Sequence, residues 1–404
     1  MSTTVTQRRF GDKSTKGLRA IDTEGNEFQV PDYSIKEILD SIPKECFERR
    51  LTTSFYYVFR DIAVCLAMGW VANTYIPQVP WAALRGALWL GYAILLSLPY
   101  TGLWVLGHEC GHQAFSDYGW LNDTVGWIIH SYLFVPYFSW KYSHGKHHKA
   151  TGHLTRDMVF VPKTVEEFKK ERAGDSRVKL SELSEDTPIQ TLTSLLMQQF
   201  GGWWWYLLTN VTGQKYPDHN KFAVSHFNPA SPIFEKRDYW YVVLSDIGVL
   251  AQSFVVYQWC KSFGGFHCFI NWFLPYVFTN HWLVFITYLQ HTDVSLPHYD
   301  NNEWTFARGA AATIDREFGF VGWFFFHDII ETHVLHHYVS RIPFYNARPA
   351  TEGIKKAMGI HYRHSDESMW YTLWKSAKAC QFVEGDNGVR MFRNINGVGV
   401  APKS

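Results

Sequence analysis

The sequence predicts an all-α, multi-pass membrane protein with about four transmembrane helices, interfacial helices and a cytosolic helical lobe. Three observations carry that prediction. Apolar stretches near the roughly 20-residue length needed to cross a bilayer begin at about Phe55, Trp81, Tyr241 and Phe266. Aromatic residues make up 17% of the 404, with 18 Trp, an excess that suits membrane–water interfaces. Histidines cluster outside these stretches, in His108-Glu109-Cys-Gly-His112, His144-Gly-Lys-His147-His148 and His333-Val-Leu-His336-His337. The net charge of +1 leaves no electrostatic footprint for a nucleic-acid partner. Six cysteines without a CxxC pair fit a reducing compartment.

Taken in order, the N-terminus lacks the apolar core of a secretory signal. Residues 1–30 are polar and expected to be mobile. Ser34 and Glu37 then have capping-box spacing and open a short helix with Ile38, Leu39 and Ile42 on its apolar side. Residues 1–50 thus form a cytosolic tail and an interfacial helix. The first span, Phe55 to Ile76, holds Arg60 and Asp61 near its start, where they can snorkel or pair. The turn after it carries no Lys or Arg before the second span, Trp81 to about Leu106. Lys141, Lys146, Lys149, Arg156 and Lys163 follow, so the positive-inside rule makes that side cytosolic.

Residues 121–140 are expected to lie in the interface as a helix. The Lys- and Glu-rich stretch 163–188 is expected to be a solvated excursion, and 191–213, with Trp203-Trp204-Trp205, an interfacial belt. A third span, Tyr241 to Cys260, and a fourth, Phe266 to Leu289, are joined by a short turn. An even number of spans returns the chain to the cytosol with all three histidine stretches on one side. A membrane region over 51–364 is followed at 365–404 by a C-terminal cytosolic helix and a Gly- and Asn-rich tail. That helix, near 366–380, presents Met369, Trp370, Leu373, Trp374 and Ala377 on one face. Sequons at Asn122 and Asn210 fall on the cytosolic or interfacial side and are expected to stay unglycosylated.

The three stretches concentrate eight of the 19 histidines in fifteen residues. Residues three and four apart share a helix face, so each stretch can aim its imidazoles at one point. Neutral imidazole suits iron, copper, zinc and nickel. Eight imidazoles exceed what one ion holds, which points to two metals. His108-Glu109-Cys-Gly-His112 also matches the HExxH pattern of zinc proteases. That reading leaves the other six histidines without a job. A metal-binding transporter would carry its ionisable ligands inside the spans, where these are not. Hydrolytic zinc sites use three protein ligands and a water, whereas iron with neutral ligands and open positions can reduce dioxygen. The residues alone therefore reach a membrane-bound two-metal oxidase of an apolar substrate.

Beyond the histidines, the stretches Trp104–Ser116, Ser143–Gly152, Thr287–Asp293, Arg308–Arg316 and Glu331–Tyr338 resemble integral-membrane fatty-acid desaturases. The pattern is most similar to fungal microsomal Δ12 (oleate) acyl-lipid desaturases and extends over about 25–400. The resemblance implies a di-iron centre on His108, His112, His144, His147, His148, His333, His336 and His337, with His291 as a ninth ligand. Some relatives have an Asn that holds a metal-bound water one turn before that ninth histidine, and Thr287 is the departure here. Glu109 and Asp157 are candidates to orient imidazoles, while His153 and His327 fall outside the pattern. Gly107, Thr151, Ser340 and Ile342 flank the boxes and are candidates to tilt the outcome between desaturation and hydroxylation.

The implied activity is conversion of oleoyl to linoleoyl chains, on phospholipid or acyl-CoA, with dioxygen and two electrons. An omega-3 desaturase, a bifunctional desaturase and an oleate 12-hydroxylase share the same boxes. No His-Pro-Gly-Gly haem stretch occurs, so the implied donor is separate cytochrome b5 with its NADH-dependent reductase. The implied setting is the endoplasmic reticulum membrane, with an oligomer left open.

Overall fold

A computed structural model describes residues 18–173 and 188–395. The chain is mostly helical, but the expected all-α class is incomplete, because short strands tie its two ends together. Strands β1 (Arg19–Ile21) and β2 (Glu27–Gln29) pair antiparallel. Asp22 closes their turn by accepting from the amides of Glu24 and Asn26, and Gly25 supplies a φ of 93°. Ala20 and Phe28 of this hairpin pack on Tyr299, Val389 and Met391. Residues 19–29, expected to be mobile, are therefore pinned. Their partners lie far downstream in sequence, beyond the reach of a local pattern. Residues 1–17 lie outside the described part.

Helix α1 (Ile35–Asp40) has the expected capping box at Ser34 and Glu37. Helices α2 (Leu51–Tyr75) and α3 (Ala82–Gly111) follow. The expected single helix over 121–140 is instead two, α4 (Gly119–Tyr132) and α5 (Tyr137–His148). Pro136 biases its predecessor away from helical backbone, and Phe134 reverses the chain at φ 54°. Helix α6 (Val165–Ala173) begins the charged excursion, whose residues 174–187 are outside the described part. Helix α7 (Pro188–Thr209) buries Leu195, Trp203, Tyr206 and Leu207, and leaves Leu192, Leu196, Met197 and Trp205 exposed.

Helix α8 (Tyr239–Phe263) leads through α9 (Gly265–Cys268) and a π-turn (Phe269–Phe273) into α10 (Leu274–His291). The interruption has a local cause. Pro275 has no N–H to give the carbonyl of Asn271, which accepts instead from the hydroxyl of Tyr100 at 3.1 Å. Among the described residues three stretches, Leu51–Gln78, Ala82–Gly111 and Lys236–Phe263, are long and apolar enough to cross a membrane. The α3 stretch is largely buried and forms the axis of the bundle, against α2, α4 and α10. In contrast, α2 exposes Tyr56, Phe59, Leu66 and Trp70, and α8 exposes Ile247, Leu250, Phe254 and Tyr257. Apolar faces this extensive need a non-aqueous neighbour, and lipid supplies one. Arg60 and Asp61 point inward: Arg60 pairs with Asp61 at 2.7 Å and donates to the carbonyl of Phe324 at 2.6 Å.

The rest of the chain caps one end of the bundle. It comprises β3 (Pro297–Tyr299), α11 (Phe306–Ala310), β4 (Asp315–Arg316), α12 (His333–Tyr338), α13 (Ala347–Met358), β5 (His364–Ser365), α14 (Met369–Ala379), β6 (Phe382–Glu384) and β7 (Val389–Arg393). The order β3-β7-β6 makes one antiparallel sheet, and β4 pairs with β5 in parallel. Helix α14 buries Met369 and Leu373 against α10 and α7, while Trp370 is half exposed. The expected tail from 385 is thus partly a core strand, and residues 396–404 lie outside the described part.

Candidate metal centre

Four helix segments converge at the capped end of the bundle. The last turn of α3 brings His108 and His112, and α5 ends with His144, His147 and His148. Helix α12 carries His333, His336 and His337, and α10 ends on His291. The nine imidazoles form two adjoining groups. His108, His112, His144, His148 and His336 bring ligand-capable atoms within 4.8 Å of one another, as do His147, His291 and His337. His333 joins the second group, with its Nε2 3.1 Å from Nε2 of His291 and 3.0 Å from Nε2 of His337.

This arrangement corrects the expectation that each stretch aims at one point. His144 and His148, four apart, face the first group, while His147 turns to the second. His333 and His337, again four apart, face the second group, and His336 turns to the first. The helical period makes the split, because adjacent residues such as His147 and His148, or His336 and His337, point about 100° apart around the helix. The rings of His148 and His337 stack at 4.2 Å, so the groups touch.

The donor set fits metal. Nitrogens bound to one ion at about 2.1 Å and at right angles lie about 3 Å apart. Nε2 of His144 is 3.2 Å from Nε2 of His108 and 3.1 Å from Nε2 of His148. Nε2 of His112 and of His336 are buried and have no hydrogen-bond partner, an expensive state unless a ligand is met. Burial first, and then the neighbouring imidazoles, hold His144, His148 and His337 well below the usual imidazole range. They are therefore neutral donors.

A polar frame orients several rings. Asp157 is buried, and its Oδ1 lies 2.6 Å from Nδ1 of His147. The same carboxylate accepts from the amides of Gly152, Val159 and Phe160. The Thr151 hydroxyl donates to the carbonyl of His147 at 2.8 Å and lies 3.1 Å from Nδ1 of His337. Glu109 accepts from the amide of Phe344 at 3.0 Å, and its other oxygen is 3.7 Å from Nδ1 of His108. The Thr287 hydroxyl donates to its own helix at Leu283, 2.8 Å away, rather than toward the imidazoles.

The remaining sequence-predicted residues are dispersed. Gly107 abuts His130 so closely that a Cβ there would sit 2.2 Å from the ring. Ile342 is buried beside Val334 and Leu335. Ser340 is half buried in the turn after α12. His327 hydrogen-bonds Asp61 at 2.8 Å, and His153 contacts Asn301 at 3.4 Å; neither joins the two groups.

Sequence reasoning missed three supports. Asp315 accepts from the amide of Val334 at 2.7 Å and from the hydroxyl of Tyr362 at 2.5 Å, anchoring the start of α12. Arg316 donates to the carbonyl of Leu289 at 3.0 Å and pairs with Asp293 at 2.7 Å, fixing the end of α10. His130 lies between Trp104 and Trp140, with ring centroids 5.4 and 5.1 Å away. The stretch Arg308–Arg316 stood out in the sequence, but nothing local said what it would hold.

A mainly apolar cavity of about 150 Å³ reaches both groups, touching His108 and His144 of the first and His147, His291 and His333 of the second. Trp104, Val105, Trp203, Leu283, Ile286 and Ile329 are among its walls. Its mainly apolar lining can take a methylene segment beside both histidine groups.

The chain is similar to known proteins over most of its length. The fatty acid desaturase family model matches residues 87–367. An oleate hydroxylase from Claviceps purpurea is 48% identical, over 95% of this chain and 86% of its own. A Δ12 fatty acid desaturase from Mortierella isabellina is 41% identical, over 91% of this chain and 92% of its own. An endoplasmic-reticulum omega-6 fatty acid desaturase from Brassica juncea is 42% identical, over 89% of each.

Proposed function

The chain belongs to the fatty acid desaturase family, and from that premise we propose that it converts oleoyl to linoleoyl chains as a Δ12 desaturase. It is an oxidoreductase. The observation that carries the proposal is the apolar cavity lying against both histidine groups, together with relatives named Δ12 desaturases over most of the chain. A second reading, oleate 12-hydroxylation, is favoured by the 48% identity to an oleate hydroxylase.

In this proposal His108, His112, His144, His148 and His336 hold one iron, and His147, His291, His333 and His337 hold the other. Nine imidazole donors in two adjoining groups support an iron pair over a closed zinc site of four ligands. The iron pair, when bound and reduced by cytochrome b5, supplies reduction of dioxygen to water coupled to loss of two hydrogens from adjacent carbons. The chain's own residues supply position. Adjacent methylenes are chemically alike, so the cavity walls must fix which pair is presented. Asp157 and Thr151 hold His147 and His337 with Nε2 toward the metal. Trp104 and Trp203 give the cavity apolar walls beside the first group.

The proposal sets the protein in the endoplasmic reticulum membrane, with the boxes and both termini cytosolic and 1–50 and 365–404 as cytosolic flanks. The fourth apolar stretch is read as a full span whose π-turn sits at the far end from the histidines. The decisive test is expression in a host that makes oleate but no linoleate, followed by gas chromatography of its lipids. New linoleate is expected. Ricinoleate would transfer the assignment to the second reading. No new product from folded, iron-loaded protein with an active donor would overturn both.

A further inference from the structure

A second hollow of about 550 Å³ adjoins the apolar cavity, and the two share Phe160, Thr212 and Tyr288 in their walls. Its character is different. Lys163, Lys170 and Lys215 line it, with Glu167 and Glu171. Lys163 pairs with Glu171 and Lys215 with Glu167, so two lysines are neutralised. Lys170 is exposed, and among the described residues it has no ion-pair partner. The lining of the hollow therefore has one positive charge in excess, beside a cavity that is mainly apolar.

We propose that this hollow is the binding site for the phosphate of the acyl carrier, with Lys163, Lys170 and Lys215 as its cationic contacts. The inference rests on the reading that the adjoining cavity takes the acyl chain. An acyl chain held at the metals must leave its polar end outside the apolar cavity, because burying an unpaired polar or charged group is costly. The shared wall makes the lysine-lined hollow the adjoining polar space. Its charged lining suits a headgroup rather than more chain. A phosphodiester carries the same single charge as a glutamate, so Lys170, without an ion-pair partner among the described residues, is the first contact for it, with Lys163 and Lys215 lining the same hollow. The exposed Val211 at the rim, with exposed Leu208 and Trp205 of α7 beside it, gives the mouth an apolar edge where a lipid surface can abut.

Two phosphate-bearing carriers meet this chemistry, a phospholipid and a coenzyme A thioester. The experiment uses the full-length, iron-loaded chain with cytochrome b5, its reductase and NADH. One arm offers oleoyl chains in palmitoyl-oleoyl phosphatidylcholine nanodiscs, and the other offers oleoyl-coenzyme A. In the arm that the unaltered protein converts, Lys170→Glu is expected to raise KM about tenfold with kcat changed less than twofold. Lys170→Arg should restore KM to within about twofold. Should Lys170→Glu fail to fold, the pair Lys163→Ala with Lys215→Ala gives the same readout. An unchanged KM in folded variants overturns the phosphate site while leaving the desaturase reading intact. Failure of the unaltered protein to convert either carrier overturns the desaturase reading, and this site with it.

Discussion

Oδ1 of Asp157 lies 2.6 Å from Nδ1 of His147, and both side chains are about 1% exposed. The carboxylate keeps the imidazole proton on Nδ1 and leaves the Nε2 lone pair directed at the second histidine group. The same carboxylate gathers the amides of Gly152, Val159 and Phe160. Asp157→Asn keeps the shape but gives His147 a weaker acceptor. We expect it to lower metal affinity by about 10–100-fold, read as iron retained against a graded chelator. Asp157→Ala removes every acceptor at once and should yield little folded protein, since each buried donor left unpaired costs about 1–3 kcal/mol.

Gly107 is set by packing. A Cβ at this position would lie 2.2 Å from Cδ2 of His130, whose Nε2 is 3.1 Å from the carbonyl of Trp104. Gly107→Ala is expected to destabilise the fold by about 2 kcal/mol or more, measured as faster thermal inactivation in detergent. The linoleate-to-ricinoleate ratio of the surviving fraction should not move. A changed product ratio at unchanged stability would show that Gly107 tunes the outcome.

Thr287 separates a structural role from a water-holding one. Its hydroxyl is satisfied by the carbonyl of Leu283. Thr287→Val should therefore keep activity within about fivefold, the scale of one modest hydrogen bond. Loss of activity by two orders of magnitude at unchanged iron content would show that the hydroxyl serves the metal.

The sequons predict an absence with a structural reason. Asn122 is 1% exposed and hydrogen-bonds Ser116 and Gln113, and Asn210 is 4% exposed. Neither amide can carry a glycan in the folded chain, so glycosidase treatment should leave gel mobility unchanged.

Much of the site was legible because its signals are local. Three clusters at spacings of three and four, with His291 supplied by resemblance, contain all nine converging imidazoles. The capping box at Ser34 and the long apolar helices were equally local. The division into groups of five and four was not legible, since it depends on the rotation of α5 and α12 about their axes. The support from Asp315 and Arg316 was hidden for a related reason. Each acts on a backbone group that only the fold brings near: the Val334 amide and the Leu289 carbonyl. The hairpin at 19–29 and strand β7 were missed because three-residue strands carry too little alternation to read. Asp157, which as easily reads as a solvated carboxylate, is one of the most buried charges among the described residues.

The central claim is that nine histidines hold two irons in unequal groups. Metal content per folded chain, measured by plasma emission on purified protein, tests it most directly. The account predicts two irons per chain. It further predicts that His112→Ala and His291→Ala each fall toward one, while the double variant falls toward none. One iron per chain in the unaltered protein, or zinc at full occupancy with no iron, would contradict it.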